Sequence, residues 1–413
     1  MSSNLVEKGI KRLEWAREHM KVLRKVRKDL LKKNSLRGLK IGMALHVEAK
    51  TGILALTLRE LGAEVRLASC NPLSTDDSVA AALREHFELP TYARKGETRE
   101  EYYSNLNSVL DLRPEIIIDD GCDLISLIHT KRKGLLDVVK GANEETTTGI
   151  IRLRAMEESG ALRFPVISVN DAQMKYLFDN RYGTGQSTID GLISSTNLLI
   201  AGKKVVVAGY GWCGRGIAMR VRGMGGNVTV TEVNPVRAIE AMLDGFTVRP
   251  MARAIKEADF VVSATGCKDV VTEKHLRSAK DGCVLANSGH FDNEISKDAL
   301  SKLSRRKRKV REFVEEYRLE DGRKLYLLGE GRLINLVAGQ GHPVEIMDMS
   351  FSIQTLCAEY IADNYHKLEN RVYDVPKEID ERVAKEKLGV LGVRIDRLTP
   401  EQRSYLSGWA EGT

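Results

Sequence analysis

The sequence lacks the features that would place the protein in a membrane or outside the cell. It contains no run of about 18 consecutive apolar residues, the length that a membrane-spanning helix requires. Residues 1–20 are charged throughout and carry no apolar stretch of the kind that secretory signals contain. We therefore expect a cytoplasmic protein that makes no membrane contact.

Cysteine is sparse, and no two cysteines are closely spaced. Disulfide frameworks and structural zinc sites need cysteines in close pairs, and the chain has no C-x-x-C motif. We predict reduced, mostly buried thiols and no metal site. The six cysteines are Cys70, Cys122, Cys213, Cys267, Cys283 and Cys357.

The positive charge is too small and too isolated to indicate a nucleic-acid-binding protein. The formal net charge is +7, and the densest basic run is Arg305–Lys309, in a segment, 297–315, that we predict to be helical. No aromatic platform or recognition motif accompanies this run. A solvated face is the favoured interpretation, and we predict no nucleic-acid partner.

The 413 residues are enough for two or three domains, and most of the chain alternates between strand and helix patterns. Residues 5–33 have apolar positions at helical spacing, which predicts a long helix or a helix pair. From about residue 38 the alternation predicts parallel sheets wrapped by helices on both faces. Strands are predicted at 40–45, 63–68, 91–93, 116–118 and 166–169, and helices at 51–61, 76–87, 98–111, 123–140 and 146–158.

Polar residues follow four of these predicted strands directly. They are the segments 46–51, 69–71, 119–121 and 170–171. Each alone could cap a helix. Parallel strands, however, end at one edge of a sheet, where ligands bind, so four such clusters together predict a ligand cleft.

A dinucleotide-binding fingerprint lies near the middle of the chain. A β-branched strand at 205–207 leads into Gly209, Gly211 and Gly214, in the order G-x-G-x-x-G, and a helix and a second strand follow. These glycines permit a tight turn, a close approach of pyrophosphate and close helix packing, while the helix N-terminus faces the phosphates. Glu232 comes 18 residues after Gly214 (232 − 214). A carboxylate there accepts from ribose hydroxyls and repels a 2′-phosphate, so we predict NAD rather than NADP.

The rest of the chain indicates a second sheet and a return to the first. Further strands are predicted at 260–264 and 284–286, and a helix at about 350–364. The pair Lys175 and Asp179 has the spacing of a surface helix pair, but beside a cleft between domains it is also a candidate for proton handling. We expect an α/β protein with two doubly wound, Rossmann-like parallel-sheet domains joined by a hinge, and a small C-terminal segment. The predicted boundaries are 1–181 for the substrate domain (completed by about 343–373), 182–342 for the NAD domain and 374–413 for a C-terminal oligomerisation segment.

Taken together, the short motifs resemble the S-adenosylhomocysteine hydrolase family over nearly the full chain. The combination of EETTTG, GHFD and a GYG-type fingerprint is very specific. The resembling stretches are HVEAKT (46–51), SCNPLSTDD (69–77), KGET (95–98), EIIIDDGCDL (115–124), IHT (128–130), EETTTG (144–149), ND (170–171), FDNRYG (178–183), VAGYGWCGRG (207–216), TE (231–232), GHFD (289–292), GEGRLINL (329–336) and GHP (341–343).

The resemblance implies a hydrolase of one-carbon metabolism, in the S-adenosylmethionine cycle, that uses tightly bound NAD. NAD oxidises the ribose 3′-hydroxyl to a ketone, which acidifies the C4′ hydrogen. Homocysteine then leaves by β-elimination, water adds, and the ketone is reduced again, so NAD is regenerated in each turnover. The family is typically tetrameric, which implies a homotetramer.

The resemblance also implies roles for individual residues. Lys175 and Asp179 would assist deprotonation of the 3′-hydroxyl, and Asp120 would remove the C4′ proton. His46 would protonate the leaving thiolate and activate water, and Glu145 would bind ribose. Asn180, Thr51, His290, His342 and Met347 would support or contact the substrate. The implied NAD contacts are Thr146, Thr147, Thr148, Gly209, Gly211, Gly214, Glu232, Asn234 and Asn335.

The first departure from the family pattern concerns the base of the nucleoside. Where the family has Thr and Glu, this chain has Glu48 and Lys50. Ionised Glu48 cannot donate to N1 of adenine, and Lys50 cannot accept from its 6-amino group. Hypoxanthine reverses both requirements, because its N1–H can donate to Glu48 and its O6 can accept from Lys50. We therefore hypothesise that the preferred substrate is S-inosylhomocysteine and that S-adenosylhomocysteine is weaker. The alternative is that Glu48 and Lys50 only pair with each other at a helix start.

The second departure is at the C-terminus, which lacks the Lys/Tyr-bearing tail that reaches a neighbour's NAD in many members. Two alternatives from other classes also stay open. A simple NAD-dependent dehydrogenase of an amino or hydroxy acid would release reduced cofactor with product. A non-catalytic nucleotide-sensing relative would be expected to lack some of His46, Asp120, Lys175 and Asp179, and all four are present.

Overall fold

The chain folds into two β-sheets with helices against them. The computed structural model describes residues 2–409, with side chains from residue 4 onward. The strands are β1 Lys40–Ala44, β2 Glu64–Ala68, β3 Thr91–Tyr92, β4 Ile116–Asp119, β5 Gly141–Glu144, β6 Val166–Ser168, β7 Lys204–Ala208, β8 Asn227–Thr231, β9 Thr247–Val248, β10 Phe260–Ser263, β11 Val284–Asn287, β12 Ser304–Arg311, β13 Val314–Leu319, β14 Lys324–Leu328 and β15 Val372–Asp374.

The helices lie mostly between consecutive strands, as in doubly wound α/β proteins. They are α1 Ser2–His19, α2 Lys21–Leu30, α3 Ala49–Glu60, α4 Asp77–Glu85, α5 Arg99–Leu110, α6 Asp123–Thr130, α7 Thr147–Glu158, α8 Gln173–Lys175, α9 Thr184–Thr196, α10 Trp212–Gly223, α11 Pro235–Leu243, α12 Met251–Ala254, α13 Glu273–Ser278, α14 Lys297–Leu303, α15 Ile334–Val337, α16 Val344–Asn364, α17 Lys377–Val390 and α18 Pro400–Ser407.

The first sheet has seven strands in the order β15-β6-β5-β4-β1-β2-β3, and all of its pairs are parallel. Its strands are buried on both faces. Ile116 and Ile118 pack into one apolar cluster, and Ile117 between them packs into the other. The strand order reverses between β1 and β4, and ligands bind at such a switch point.

The second sheet has eight strands in the order β12-β13-β14-β11-β10-β7-β8-β9. Strands β7 to β11 and β14 form parallel pairs, while β12, β13 and β14 pair antiparallel. Here the order reverses between β7, which leads into Gly209, and β10. The predicted α/β class with two doubly wound sheets is confirmed.

The C-terminal part of the chain returns to the first sheet. Strand β15 pairs with β6, and α16 supplies Phe351, Ile353 and Ile361 to the core under that sheet. The chain thus comes back to the first sheet, and the division into domains stays a prediction. No helix among residues 2–409 is long and apolar enough to cross a membrane.

Several predicted elements need correction. The predicted helix 123–140 ends at Thr130, and β5 follows at 141–144, where no strand was predicted. The sequence Gly-Ala-Asn-Glu has low β-propensity, but β4 and β6 pair with it on both sides and override that preference. Strand β15 was also missed, and α16 begins at Val344 rather than near 350.

The predicted helix over 297–315 is wrong beyond Leu303. The basic run lies on β12, an edge strand that pairs antiparallel with β13. Cross-strand ion pairs join Lys307 to Glu315 and Arg308 to Glu316, and these partners favour a strand over the helix that local propensity indicates. The run is exposed, as expected of a solvated face.

Candidate active site

A cavity of about 1160 Å³ lies between the carboxyl edges of the two sheets. It is lined by every residue predicted for the site except Gly214. A Cβ at Gly214 would overlap the carbonyl of Gly209, so this glycine serves the close packing of α10 instead. The first sheet brings His46 from β1 and Asp120 from β4 to its switch point, and the second sheet contributes Gly209.

Asp120 lies between two histidines, one from each sheet. Its Oδ2 is 3.4 Å from His46 Nε2, and its Oδ1 is 3.7 Å from His290 Nδ1. The potential ligand atoms of the three residues lie within 4.8 Å of one another, so among the described residues this group could also hold a divalent ion. The carboxylate and imidazole atoms that face each other in this group also suit proton transfer.

His46 is held in a defined orientation and is uncharged near neutral pH. Its Nδ1 is 2.7 Å from Ser74 Oγ, which itself donates to the Asn71 carbonyl at 3.1 Å. Ser74 therefore accepts from Nδ1–H, and the lone pair of neutral His46 lies on Nε2, facing Asp120. Burial lowers the pKa of His46 to about 4, and the nearby Asp120 only partly offsets that effect.

Lys175 is the centre of a second, fully buried group of charges. Its ammonium donates to Asn180 Oδ1 at 2.8 Å and lies 3.4 Å from both Glu145 Oε1 and Asp179 Oδ2. Burial lowers the pKa of Lys175, but Asp179 and Glu145 outweigh burial and raise it. Burial raises the pKa of Glu145 to about 7 despite the nearby lysine. Glu145 can therefore gain and lose a proton near neutrality.

Asp179 is ionised and connects this group to the segment that follows α15. Burial alone would raise its pKa, but Lys175 and His342 hold it well below the usual range. His342 Nδ1 pairs with Asp179 Oδ1, and Ser350 Oγ donates to Oδ2 at 2.9 Å. The Lys175–Asp179 pair is thus buried rather than exposed. It spans the start of a π-helix, Tyr176–Gly183, a form common at functional sites.

Three polar residues that the sequence patterns did not indicate support these groups. Ser74 orients His46, Ser350 donates to Asp179, and Gln354 Nε2 donates to Glu145 Oε2 at 2.6 Å. Ser350 and Gln354 are four residues apart on α16, so they share one helix face. The i, i+4 spacing of these two polar residues was the signal that could have revealed them.

Glu48 and Lys50 are in contact at the start of α3. Glu48 caps the helix, because its Oε1 accepts from Thr51 N at 3.2 Å and its Oε2 from Lys50 N at 3.1 Å. The Lys50 ammonium lies 2.7 Å from Glu48 Oε2 and donates to Gln340 O at 3.1 Å. Both side chains line the cavity, so the mutual pairing and a role in base recognition are both compatible with this geometry.

The residues around the fingerprint fit a bound dinucleotide. Gly209 has φ +94°, which makes the tight turn, and a Cβ at Gly211 would have no neighbour closer than 3.6 Å, so space remains in front of α10. Glu232 Oε2 accepts from Tyr210 N at 2.7 Å. Asn335 Oδ1 is buried without a partner among the described residues, and an amide of a nicotinamide could satisfy it.

The remaining predicted contacts with NAD and with the substrate also line the cavity. Thr148 faces the second sheet, because its Oγ1 lies 4.0 Å from where a Cβ of Gly266 would be. Asn234 caps α11 by accepting from the backbone of Val236 and Arg237, which explains this residue without a ligand. Met347 and Thr51 line the cavity, at the starts of α16 and α3.

Comparisons with known proteins find one family over most of the chain. The family model "S-adenosyl-L-homocysteine hydrolase" matches residues 2–135, and "S-adenosyl-L-homocysteine hydrolase, NAD binding domain" matches residues 180–341. The chain is 59% identical to an adenosylhomocysteinase of Thermoplasma volcanium over 406 residues, 98% of this chain and 99% of the relative. It is 57% identical to an S-inosyl-L-homocysteine hydrolase of Methanocaldococcus jannaschii over 410 residues, 99% of this chain and 98% of the relative.

These matches confirm the predicted family, the enzyme class and the use of NAD, and they do not favour the dehydrogenase or sensor alternatives. A third relative, an adenosylhomocysteinase of Aquifex aeolicus, is 55% identical over 99% of this chain and 98% of its own length. The chain belongs to the S-adenosyl-L-homocysteine hydrolase family.

Proposed function

We propose that this enzyme hydrolyses S-inosyl-L-homocysteine in preference to S-adenosyl-L-homocysteine, releasing inosine and L-homocysteine. Relatives with both names are 54–59% identical to the chain, so overall identity does not distinguish the two substrates. The base-reading residues must do so. The observation that carries the proposal is the buried ammonium group of Lys50 in the cavity.

Lys50 offers a single hydrogen-bond donor to the base. An ammonium has three N–H groups, and within residues 4–409 its acceptors are Glu48 and the Gln340 carbonyl. The third N–H is left for a ligand acceptor. Hypoxanthine presents such an acceptor at O6, whereas adenine presents a donor, its 6-amino group, at the same position. The wrong base would leave buried polar groups unpaired, which is a strong source of discrimination.

Glu48 supports this selection indirectly. Its two oxygens already accept from the backbone and hydroxyl of Thr51 and from the backbone and ammonium of Lys50. We therefore assign it the role of holding Lys50 in place, rather than the direct contact with N1–H that we hypothesised from the sequence.

The catalytic roles follow from the charges of the two buried groups. When bound, NAD supplies reversible oxidation of the ribose 3′-hydroxyl, which acidifies C4′–H. Protonated Lys175 holds positive charge beside the 3′-oxygen, with ionised Asp179 next to it. Glu145 binds ribose and can exchange a proton with it, because its pKa is about 7.

Asp120 removes the C4′ proton, and His46 delivers a proton to the departing sulfur. Neutral His46 has a free lone pair on Nε2, 3.4 Å from Asp120. The proton that Asp120 takes up can therefore pass to His46 and on to the thiolate. In the reverse sense, His46 removes a proton from the incoming water. Asn180 and His290 hold Lys175 and Asp120 in place.

The test is a paired kinetic assay with S-inosyl- and S-adenosylhomocysteine, with released homocysteine trapped by a thiol reagent. We expect a higher kcat/KM for the inosyl compound and no net accumulation of reduced cofactor. A clear preference for the adenosyl compound would contradict the proposed base selection. Accumulation of reduced cofactor in proportion to product would instead support the dehydrogenase alternative.

We also propose that the enzyme is a homotetramer in the cytoplasm. Apolar side chains on α11 and around α18 are exposed in the single chain, which supports burial against other copies. They include Val236, Met242, Leu243, Leu406 and Trp409. The six cysteines are free thiols, as expected of a reducing compartment. Light scattering on the purified holoenzyme tests the assembly, and a monomer or dimer would contradict it.

A further inference from the structure

Two fully buried carboxylic acids precede the reacting acids in the chain, and neither lines the cavity. Asp119 and Glu144 end the neighbouring strands β4 and β5 and are paired in register, directly before Asp120 and Glu145. We propose that Glu144 is a positioning residue whose carboxyl group holds the loops of Asp120 and Glu145 together. This inference rests on the proposed function of those two residues.

A single oxygen of Glu144 bridges the two loops. Its Oε1 accepts from Gly121 N at 2.8 Å, on the loop after β4, and from Thr146 N at 3.0 Å, on the loop after β5. The carboxyl group lies over Cα of Gly149, where a Cβ would overlap it. The glycine in the first turn of α7 thus provides the space that this bridge needs.

The surroundings of Glu144 favour its protonated form. Its Oε2 is buried and has no hydrogen-bond partner among the described residues. Burial raises the pKa of Glu144 well above its usual value, and the negative charges of Asp119 and Asp120 raise it further. A neutral carboxyl group makes the same bridge without adding another negative charge near Asp120.

The bridge matters because Gly121 sets the position of Asp120. Asp120 must lie between His46 and His290 to receive and pass on a proton. His290 packs so closely on Gly121 that a Cβ there would overlap its Nε2. A shift of the Gly121 backbone therefore changes the distances from Asp120 to both histidines at once.

The experiment compares Glu144→Gln, which keeps an uncharged accepting oxygen, with Glu144→Ala, which removes the bridge. Glu158→Gln, at the exposed end of α7, is the matched control. Two partial reactions are measured on the holoenzyme with nucleoside: oxidation, from the absorbance of reduced nicotinamide, and exchange of the C4′ hydrogen with D₂O. The pH dependence of kcat/KM and thermal unfolding are measured in parallel.

We expect Glu144→Gln to exchange C4′–H within about threefold of wild type and to keep its pH profile. Glu144→Ala should still oxidise the nucleoside, but its C4′ exchange should fall by about 10- to 100-fold, the effect of a displacement near 1 Å. The control should change neither reaction.

Each contrary result is informative. Normal exchange in Glu144→Ala, or an equal loss of both partial reactions, would overturn the positioning role. If Glu144→Ala does not fold, Glu144→Gln still decides: slow exchange or an altered pH profile would show that a charged carboxylate is needed. A wild-type enzyme that oxidises nucleoside but never exchanges C4′–H would overturn the proposed function of Asp120, and this inference with it.

Discussion

Replacing Lys50 with methionine should reverse the base preference of the enzyme. The change keeps a long, unbranched side chain, one atom shorter than that of lysine, but removes the N–H that we assign to O6 of hypoxanthine. A buried hydrogen bond to a charged group contributes about 1.5–3 kcal/mol, which corresponds to a loss of about 10- to 150-fold in kcat/KM for the inosyl substrate. The adenosyl substrate should lose less, because its amino group no longer faces an ammonium, even though the contact with Gln340 O is lost with both substrates.

The matched control is Lys95→Met. Lys95 also reaches across to α15, where its ammonium donates to Val337 O at 3.3 Å, but it does not line the cavity. Any general effect on the approach of the two sheets should appear in both variants. The assay is kcat/KM for both substrates with each variant. An equal fall for both substrates in Lys50→Met would refute the reasoning, because it would show that Lys50 acts through Gln340 rather than through the base.

Three further predictions follow from the geometry. Burial lowers the pKa of His46 to about 4 in the folded state. Between pH 6.5 and 4 the imidazole is therefore protonated in the unfolded chain and neutral in the folded chain. The folded state should thus lose up to about 3 kcal/mol of stability over that pH range, and urea unfolding of His46→Asn should show a weaker acid dependence than wild type. Gly121→Ala would bring a Cβ into His290, so kcat/KM should fall by at least about tenfold, whereas Gly96→Ala, at φ +78° with open space around it, should fall much less. Unchanged activity in the first, or equal losses in both, would contradict the close packing. Glu232→Gln should bind NADP more tightly and NAD about tenfold more weakly. The measurement is the affinity of the apoenzyme for each dinucleotide, and an unchanged ratio of the two affinities would refute the role of Glu232.

Local patterns predicted those parts of the fold where sequence preference and tertiary context agree. Residues 205–207 are a β-branched run, and glycines that suit a turn follow them. The strand, and the edge of the sheet at which it ends, could therefore be predicted from these residues. β5 was missed because Asn143 and Glu144 favour neither a strand nor burial by themselves. Asn143 is accommodated only because Gln354 O, more than 200 residues later, accepts from its side chain at 3.0 Å.

The same distinction holds within the site. Residues that follow strands could be predicted, because parallel strands end at one edge. The charge states could not, since they depend on burial and on partners from distant segments. The spacing of Lys175 and Asp179 alone predicts an exposed pair, yet the two residues are buried beside Glu145 and His342.

The contacts of Lys50 indicate how base selection can affect chemistry as well as binding. Its ammonium donates to Gln340 O, two residues before His342, and His342 pairs with Asp179 in the group around the 3′-hydroxyl. In the binding mode that we propose, hypoxanthine O6 accepts the third N–H of Lys50, so the contact with Gln340 O persists. An adenine amino group repels the ammonium and weakens that contact. We therefore expect the adenosyl substrate to show a lower kcat as well as a higher KM, and a difference confined to KM would show that base recognition is independent of the Asp179 group.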